Sequence, residues 1–200
     1  MSDIKTLPIF KMVLSDSDDS GIKAIALVDE PAINMKWDVY NKESHKFQAD
    51  TDKRIVSGAA MVAGMSIYRR HETYGEYNAV FDATTIRALV EKYFKEQRGN
   101  QVNRMHNSDD MVDGVYMIES FLIDRERGVN PPTGHEYMTD GSWFTSYKID
   151  NDKVWNEDVK TGKFQGFSIE GLFEPVHQEL KSQYDVIIKD LELIKQHYIK

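Results

Sequence analysis

The chain has 200 residues, 40% hydrophobic and 11% aromatic, which is enough for a packed core and excludes disorder throughout. Its 33 acidic side chains outnumber 25 basic ones, for a net charge of −8, and no Lys/Arg-rich run offsets that balance, which disfavours a general nucleic-acid binder. With no cysteine there is no disulfide framework, thiol nucleophile or thiolate-bound zinc. The first residues, Met1 to Pro8, lack the apolar centre of a signal peptide, and no apolar run approaches about 18 residues. The expectation is a soluble cytosolic protein of one domain with appendages, with no nucleic-acid or membrane partner.

In chain order, Ile9–Leu14 and Ile22–Val28 are expected strands, separated by a polar turn over 15–21. Ile55–Val62 follows as a buried strand bent at Gly58, then Ser66–Arg69 and Tyr77–Phe81 around a turn at Gly75. Asp82 caps the first helix, where Ile86, Leu89, Val90, Tyr93 and Phe94 recur at helical spacing, and Gly99-Asn100 ends it. A polar loop carrying His106 leads into Val115–Ile123, a strand apolar on both faces and therefore expected to be buried. Residues 125–140, rich in glycine and proline, form a loop long enough to carry function or to move. Trp143–Ile149 is a strand, Asn151–Lys160 a short helix, and Lys163–Phe173 a strand carrying Ser168. Beyond it Leu180, Tyr184, Ile187, Leu191, Ile194 and Tyr198 repeat at heptad spacing, an amphipathic C-terminal helix that needs a surface to dock on. Six or seven short strands with two helices between them make an α+β, β-barrel-like domain.

Several constellations are absent. His135-Glu136 lacks the second histidine of a zinc-protease helix, since Thr139 occupies that position. Glu170 stands where a nucleophile elbow requires glycine, so Gly166-Phe-Ser-Ile-Glu170 is not an α/β-hydrolase motif. No phosphate-binding glycine loop is present, and the six histidines show no ligand-pair spacing, so neither cofactor nor metal is expected. What remains is Ser168 and His106, each at the edge of a β segment and together the minimum parts of a nucleophile–base pair. A strand serine is most simply structural; the histidine is what raises it. The third group, needed to fix the histidine tautomer, is expected to be Glu119, a carboxylate on an apolar strand that is costly unless paired. Asp109, Asp110, Asp113 and Glu170 are the other options, and equally open is a Glu119 that sits at the sheet edge and meets only water or a lysine.

The segments Ile25–Ile33, Val56–Val62, Ile67–Arg69, Val102–His106, Val112–Ser120, Ser146–Asp150 and Gly166–Gly171 occur in one order that resembles the tailed-phage prohead (head maturation) serine proteases. The likeness runs from about Ile22 to Pro175 and is strongest to the branch of phages and prophages of Gram-positive bacteria. It implies a fold similar to the herpesvirus assembly proteases: a small closed β-barrel of six to seven strands with surrounding helices. Residues 1–50 would then pack onto a protease barrel of residues 51–176, followed by the heptad helix over 177–200. It also implies an endopeptidase acting inside the immature prohead in the host cytoplasm, with scaffold and major capsid protein as substrates, possible self-cleavage, and a homodimer as working unit. Carried over by motif, Ser168 is the nucleophile and His106 the base. The herpesvirus enzymes use a second histidine after the serine; His177 lies only nine residues on, beyond Pro175, and Glu119 is preferred. The competing expectation is a catalytically silent head-assembly or scaffold-docking protein that keeps the barrel.

Overall fold

A computed structural model describes residues 7–29, 48–72 and 75–178. In chain order these form β1 (Ile9–Val13), β2 (Gly21–Val28), β3 (Gln48–Asp50), β4 (Ile55–Met61), β5 (Ser66–His71), β6 (Gly75–Val80), helix α1 (Ala83–Lys95), β7 (Val102–Arg104), β8 (Asn107–Met111), β9 (Val115–Leu122), β10 (Trp143–Ile149), a π-helical turn (Val154–Val159), β11 (Gly166–Leu172) and β12 (Glu174–Gln178). They assemble as three four-stranded sheets in the orders β12-β1-β6-β5, β3-β4-β10-β9 and β11-β2-β7-β8. The α+β class holds. A closed barrel is not present among the described strands, which exceed the six or seven expected and leave each sheet with edges. Of the heptad helix expected over 177–200, residues 177–178 instead end strand β12, and the rest lies outside the described residues.

The extra strands explain the difference. Val102–Arg104 and Asn107–Met111 are too short or too polar to show period-two patterning, yet they pair across a tight turn. The polar loop expected around His106 is therefore a hairpin. Gln48–Asp50 and Glu174–Gln178 are similarly polar and are recruited by β4 and β1.

Among the described residues, β1 and β2 are built into the sheets. β1 runs between β12 and β6, and β2 between β11 and β7. The near-continuous apolar run of β2 suits its central position: Ile22, Ile25 and Leu27 are buried, as are Ala24 and Ala26 between them. Asp82 caps α1 by accepting from the Thr85 N–H at 2.7 Å. The helix buries Ile86, Leu89, Val90 and Tyr93 in the main core with Trp143, Tyr147 and Phe167, while Phe94 stays 43% exposed at the margin. A second cluster around Ala59, Val62, Ile123, Met138 and Phe144 covers the other face of β10. Met138 and His135 place the 125–140 segment on that cluster, and Arg125 ties its ends by pairing with Asp140 at 2.6 Å.

β9 departs from expectation. It is the edge strand of its sheet, so Ile118 and Glu119 are exposed rather than buried. A bulge at Ser146/Tyr147 of β10 shifts its register at that point.

Gly171 marks where two backbones meet. The register of β11 on β2 shifts between Glu170 and Gly171, and a Cβ at Gly171 would lie 2.2 Å from the Gly21 carbonyl oxygen. Backbone on both sides cannot yield cheaply. Gly171→Ala is expected to destabilise the fold by about 2–3 kcal/mol, seen as a lower urea midpoint at unchanged slope.

Candidate active site

The sheet β11-β2-β7-β8 brings the sequence candidates together. Ser168 of β11 pairs with Ala26 of β2, and Ala26 pairs in turn with Asn103 of β7, so all three lie in one row. Residues opposite one another share a face, which places Ser168, Glu170, Ala24, Ala26 and Asn103 on the same side. Phe167 and Ile169 leave β11 on the other side, toward the main core. Two interstrand spacings put the Ser168 and Asn103 backbones about 10 Å apart. Only alanine methyl groups stand between them on β2, so side chains from the flanking strands can lean over it.

His106 enters this arrangement from a hairpin. Arg104 of β7 pairs with Asn107 of β8, leaving Met105-His106 as a two-residue loop. Both residues have positive φ, 53° and 59°. Such loops are normally built with Asn or Gly, because a Cβ is unfavourable at positive φ. Here the chain uses a methionine, 48% exposed, and a histidine. Backbone strain is thus held at the residue that the sequence singles out as a base.

The acid facing that histidine is Glu170. Its Oε2 lies 3.9 Å from His106 Nδ1. Asn103 Nδ2 donates to the same oxygen at 2.5 Å, fixing the carboxylate from a side chain that is 1% exposed. Burial lowers the His106 pKa below the 6.5 of a solvated imidazole; the Glu170 charge opposes this, and the Arg69 guanidinium adds to it. The lowered pKa favours the neutral ring, the state a base requires. Ser168 is buried, at 3% exposure, and among the described residues no hydrogen bond joins its hydroxyl to His106. Contacts of this kind often close only around substrate.

Glu119 is not brought to this site. It lies on β9 in a different sheet, where Ser146 Oγ donates to its Oε2 at 2.5 Å and Ser57 and Ser146 hydroxyls sit 2.8 Å apart. An edge carboxylate bonded by a serine has no need of the histidine. Asp110 is also engaged elsewhere, by Arg104 at 2.6 and 2.8 Å. His177 lies on β12, paired with Phe10 in the β12-β1-β6-β5 sheet. Glu170 was legible as an option, since it shares the Ser168 face. Asn103 carried no signal beyond its place three residues before His106.

Residues 45–177 match the sequence profile of the family described as "Putative phage serine protease XkdF". The chain belongs to that family. The matched span holds Ser168, Glu170, Asn103 and His106, while β2, which carries the alanine floor, precedes it. Neither among curated proteins nor among solved structures does any match the chain. Membership in this phage serine protease family agrees with the hydroxyl, imidazole and carboxylate gathered on and beside one sheet. Among the described residues no helix is long and apolar enough to cross a membrane, and no cluster of potential metal ligands occurs.

Two outcomes follow from the hairpin and its charges. Met105→Gly relieves positive-φ strain at an exposed position and is expected to raise the unfolding free energy by about 0.5–1 kcal/mol after the entropy glycine adds to the unfolded chain. A drop in the denaturation midpoint would show that the loop is not strained. In an NMR titration, His106 should titrate below 6.5. Glu170→Gln removes the charge that raises this value and should move it further down; Arg69→Gln removes one that lowers it and should move it up.

Proposed function

We propose that this chain is a prohead-maturation serine endopeptidase that cleaves scaffold and capsid-protein segments, and itself, inside the immature head. The observation that carries the reading is the shared face of one sheet: Ser168 and Glu170 on one strand, the Asn103-held carboxylate, and His106 on the adjoining hairpin. Ser168 Oγ attacks the scissile carbonyl carbon while His106 takes the hydroxyl proton. The tetrahedral oxyanion is stabilised by hydrogen-bond donors and collapses, and His106 returns the proton to the leaving amine. Water, deprotonated by the same imidazole, then attacks the acyl-enzyme; the released serine oxygen regains a proton and the product carboxylate departs. Glu170 stabilises the imidazolium formed in each half. The phage serine protease family supports the peptidase part of this reading; head maturation, the scaffold and capsid substrates and the homodimer are proposed on the likeness of the ordered motifs to the prohead proteases alone.

A second reading has an observation in its favour. Ser168 is buried without a hydrogen bond to His106, as it would be in a head-assembly protein that docks scaffold without cutting it. Intact-mass spectrometry of cognate scaffold incubated with wild type, Ser168→Ala and His106→Ala separates the two. Discrete fragments from wild type alone support the protease; uncut scaffold that co-elutes with every form supports the docking protein. Within the protease reading, Glu170→Gln should lower kcat/KM about 10–100-fold and Glu119→Gln less than about twofold. The reverse order would return the acid's role to Glu119.

A further inference from the structure

We propose that Asp158 is a positioning residue that fixes the placement of His106 relative to Ser168. This rests on the reading of those two residues as the reacting pair. Among the described residues Asp158 is the only buried carboxylate, at 1% exposure. It sits in the π-helical turn Val154–Val159, where Lys160 N–H bonds back to the Trp155 carbonyl at 2.9 Å. Its two oxygens go to different places. Oδ1 accepts from Lys163 Nζ at 2.6 Å, and Oδ2 accepts from Arg104 Nη1 at 3.4 Å.

Each of those cations leads to one half of the candidate site. Lys163 belongs to the short segment entering β11, five residues before Ser168. The same segment is held by Phe164 N–H on the Asp158 carbonyl at 3.0 Å and Gln165 N–H on the Val28 carbonyl at 2.8 Å. Arg104 is the last residue of β7, next to the Met105-His106 loop. Its remaining nitrogens fork onto Asp110 of β8, so the guanidinium spans the hairpin that presents the histidine. By strand alternation Arg104 leaves the sheet opposite to Asn103, Ser168 and Glu170. The carboxylate therefore acts from beneath the sheet and touches none of the reacting groups. A single charge inside a low-dielectric core, bonded once to each side, resists sliding of the hairpin against the serine strand more strongly than two exposed pairs could. With a two-residue loop strained at both positions, the hairpin has reason to relax if that grip is lost.

The test uses the full chain and three variants: Asp158→Asn, which keeps shape and loses charge; Lys163→Gln, which cuts only the serine side; and Arg104→Gln, which cuts only the hairpin side. Lys163 is 59% exposed, so its replacement should fold even if Asp158→Asn does not. Two readouts are taken: the His106 imidazole resonances, assigned against His106→Gln, and steady-state cleavage of scaffold. Lys163→Gln, which removes no hydrogen bond of the hairpin itself, is expected to shift the His106 resonances and lower kcat about 10-fold with KM within about twofold; Asp158→Asn should lower kcat about 100-fold. The Arg104/Lys163 double variant should be no slower than the worse single, because either cut breaks the same link. Unmoved His106 resonances in folded Lys163→Gln, or single effects that multiply in the double variant, would overturn the proposal. If wild type cuts nothing, the protease reading fails and the resonance arm still decides whether Asp158 couples the two elements.

Discussion

The pairing of β2 with two partners from distant parts of the chain is the constraint on which the site depends. Its antiparallel bond to β11 and parallel bond to β7 set Ser168, Ala26 and Asn103 in one row. A one-residue slip in either ladder would turn Ser168 or Asn103 to the opposite face, because side-chain direction has period two. The register is protected by burial on the other face, where Ile25, Leu27, Val102 and Phe167 enter the core together. Hydrophobic packing thus chooses the register, and the register delivers the polar row. On the polar row itself β2 contributes only the methyl groups of Ala24 and Ala26, both buried.

Electrostatics then refines what the sheet delivers. Glu170 is 30% exposed on its side chain and His106 44%, so their pairing at 3.9 Å is screened and adds little stability. Its value lies in orientation. Asn103 holds one oxygen of Glu170 from a fully enclosed position, so the carboxylate keeps its place whether or not the histidine is charged. Asp158 is the opposite case. A carboxylate at 2% side-chain exposure costs much to desolvate, and it is tolerated because both of its oxygens meet cations. The two acids differ in setting: one lies beside the candidate base His106 and stays partly wet, the other is dry and bonds the segments that flank the candidate pair.

Much of this was legible from residues alone, and the exceptions share a cause. Strands with apolar patterning, such as Trp143–Ile149, and the capped helix after Asp82 were plain because burial writes itself into local periodicity. Val102–Arg104 and Asn107–Met111 were not, because their pairing depends on β2 and on each other rather than on composition. That omission concealed the hairpin and, with it, the positive φ of His106. Glu119 shows the same limit from another direction. Apolar neighbours on both faces suggested a buried strand, but an edge position exposes it whatever its sequence. Glu170 could be placed on the Ser168 face by counting, yet only the parallel β2–β7 pairing brings His106 beside it.

A two-residue loop with both φ values positive is readily satisfied by Asn-Gly, and nothing in the β7–β8 pairing requires methionine and histidine there. Retaining them costs backbone energy of about 1 kcal/mol or more at each position. Loop stability alone favours asparagine or glycine at both positions, and the histidine ring lies next to Glu170. The Arg104 fork to Asp110 and the buried Asp158 behind it are the compensation such a loop needs: strong, charge-assisted bonds on the residue immediately before the strained pair. The strained tip and the ion pairs at its base act on the same hairpin, one loading it and the other holding it.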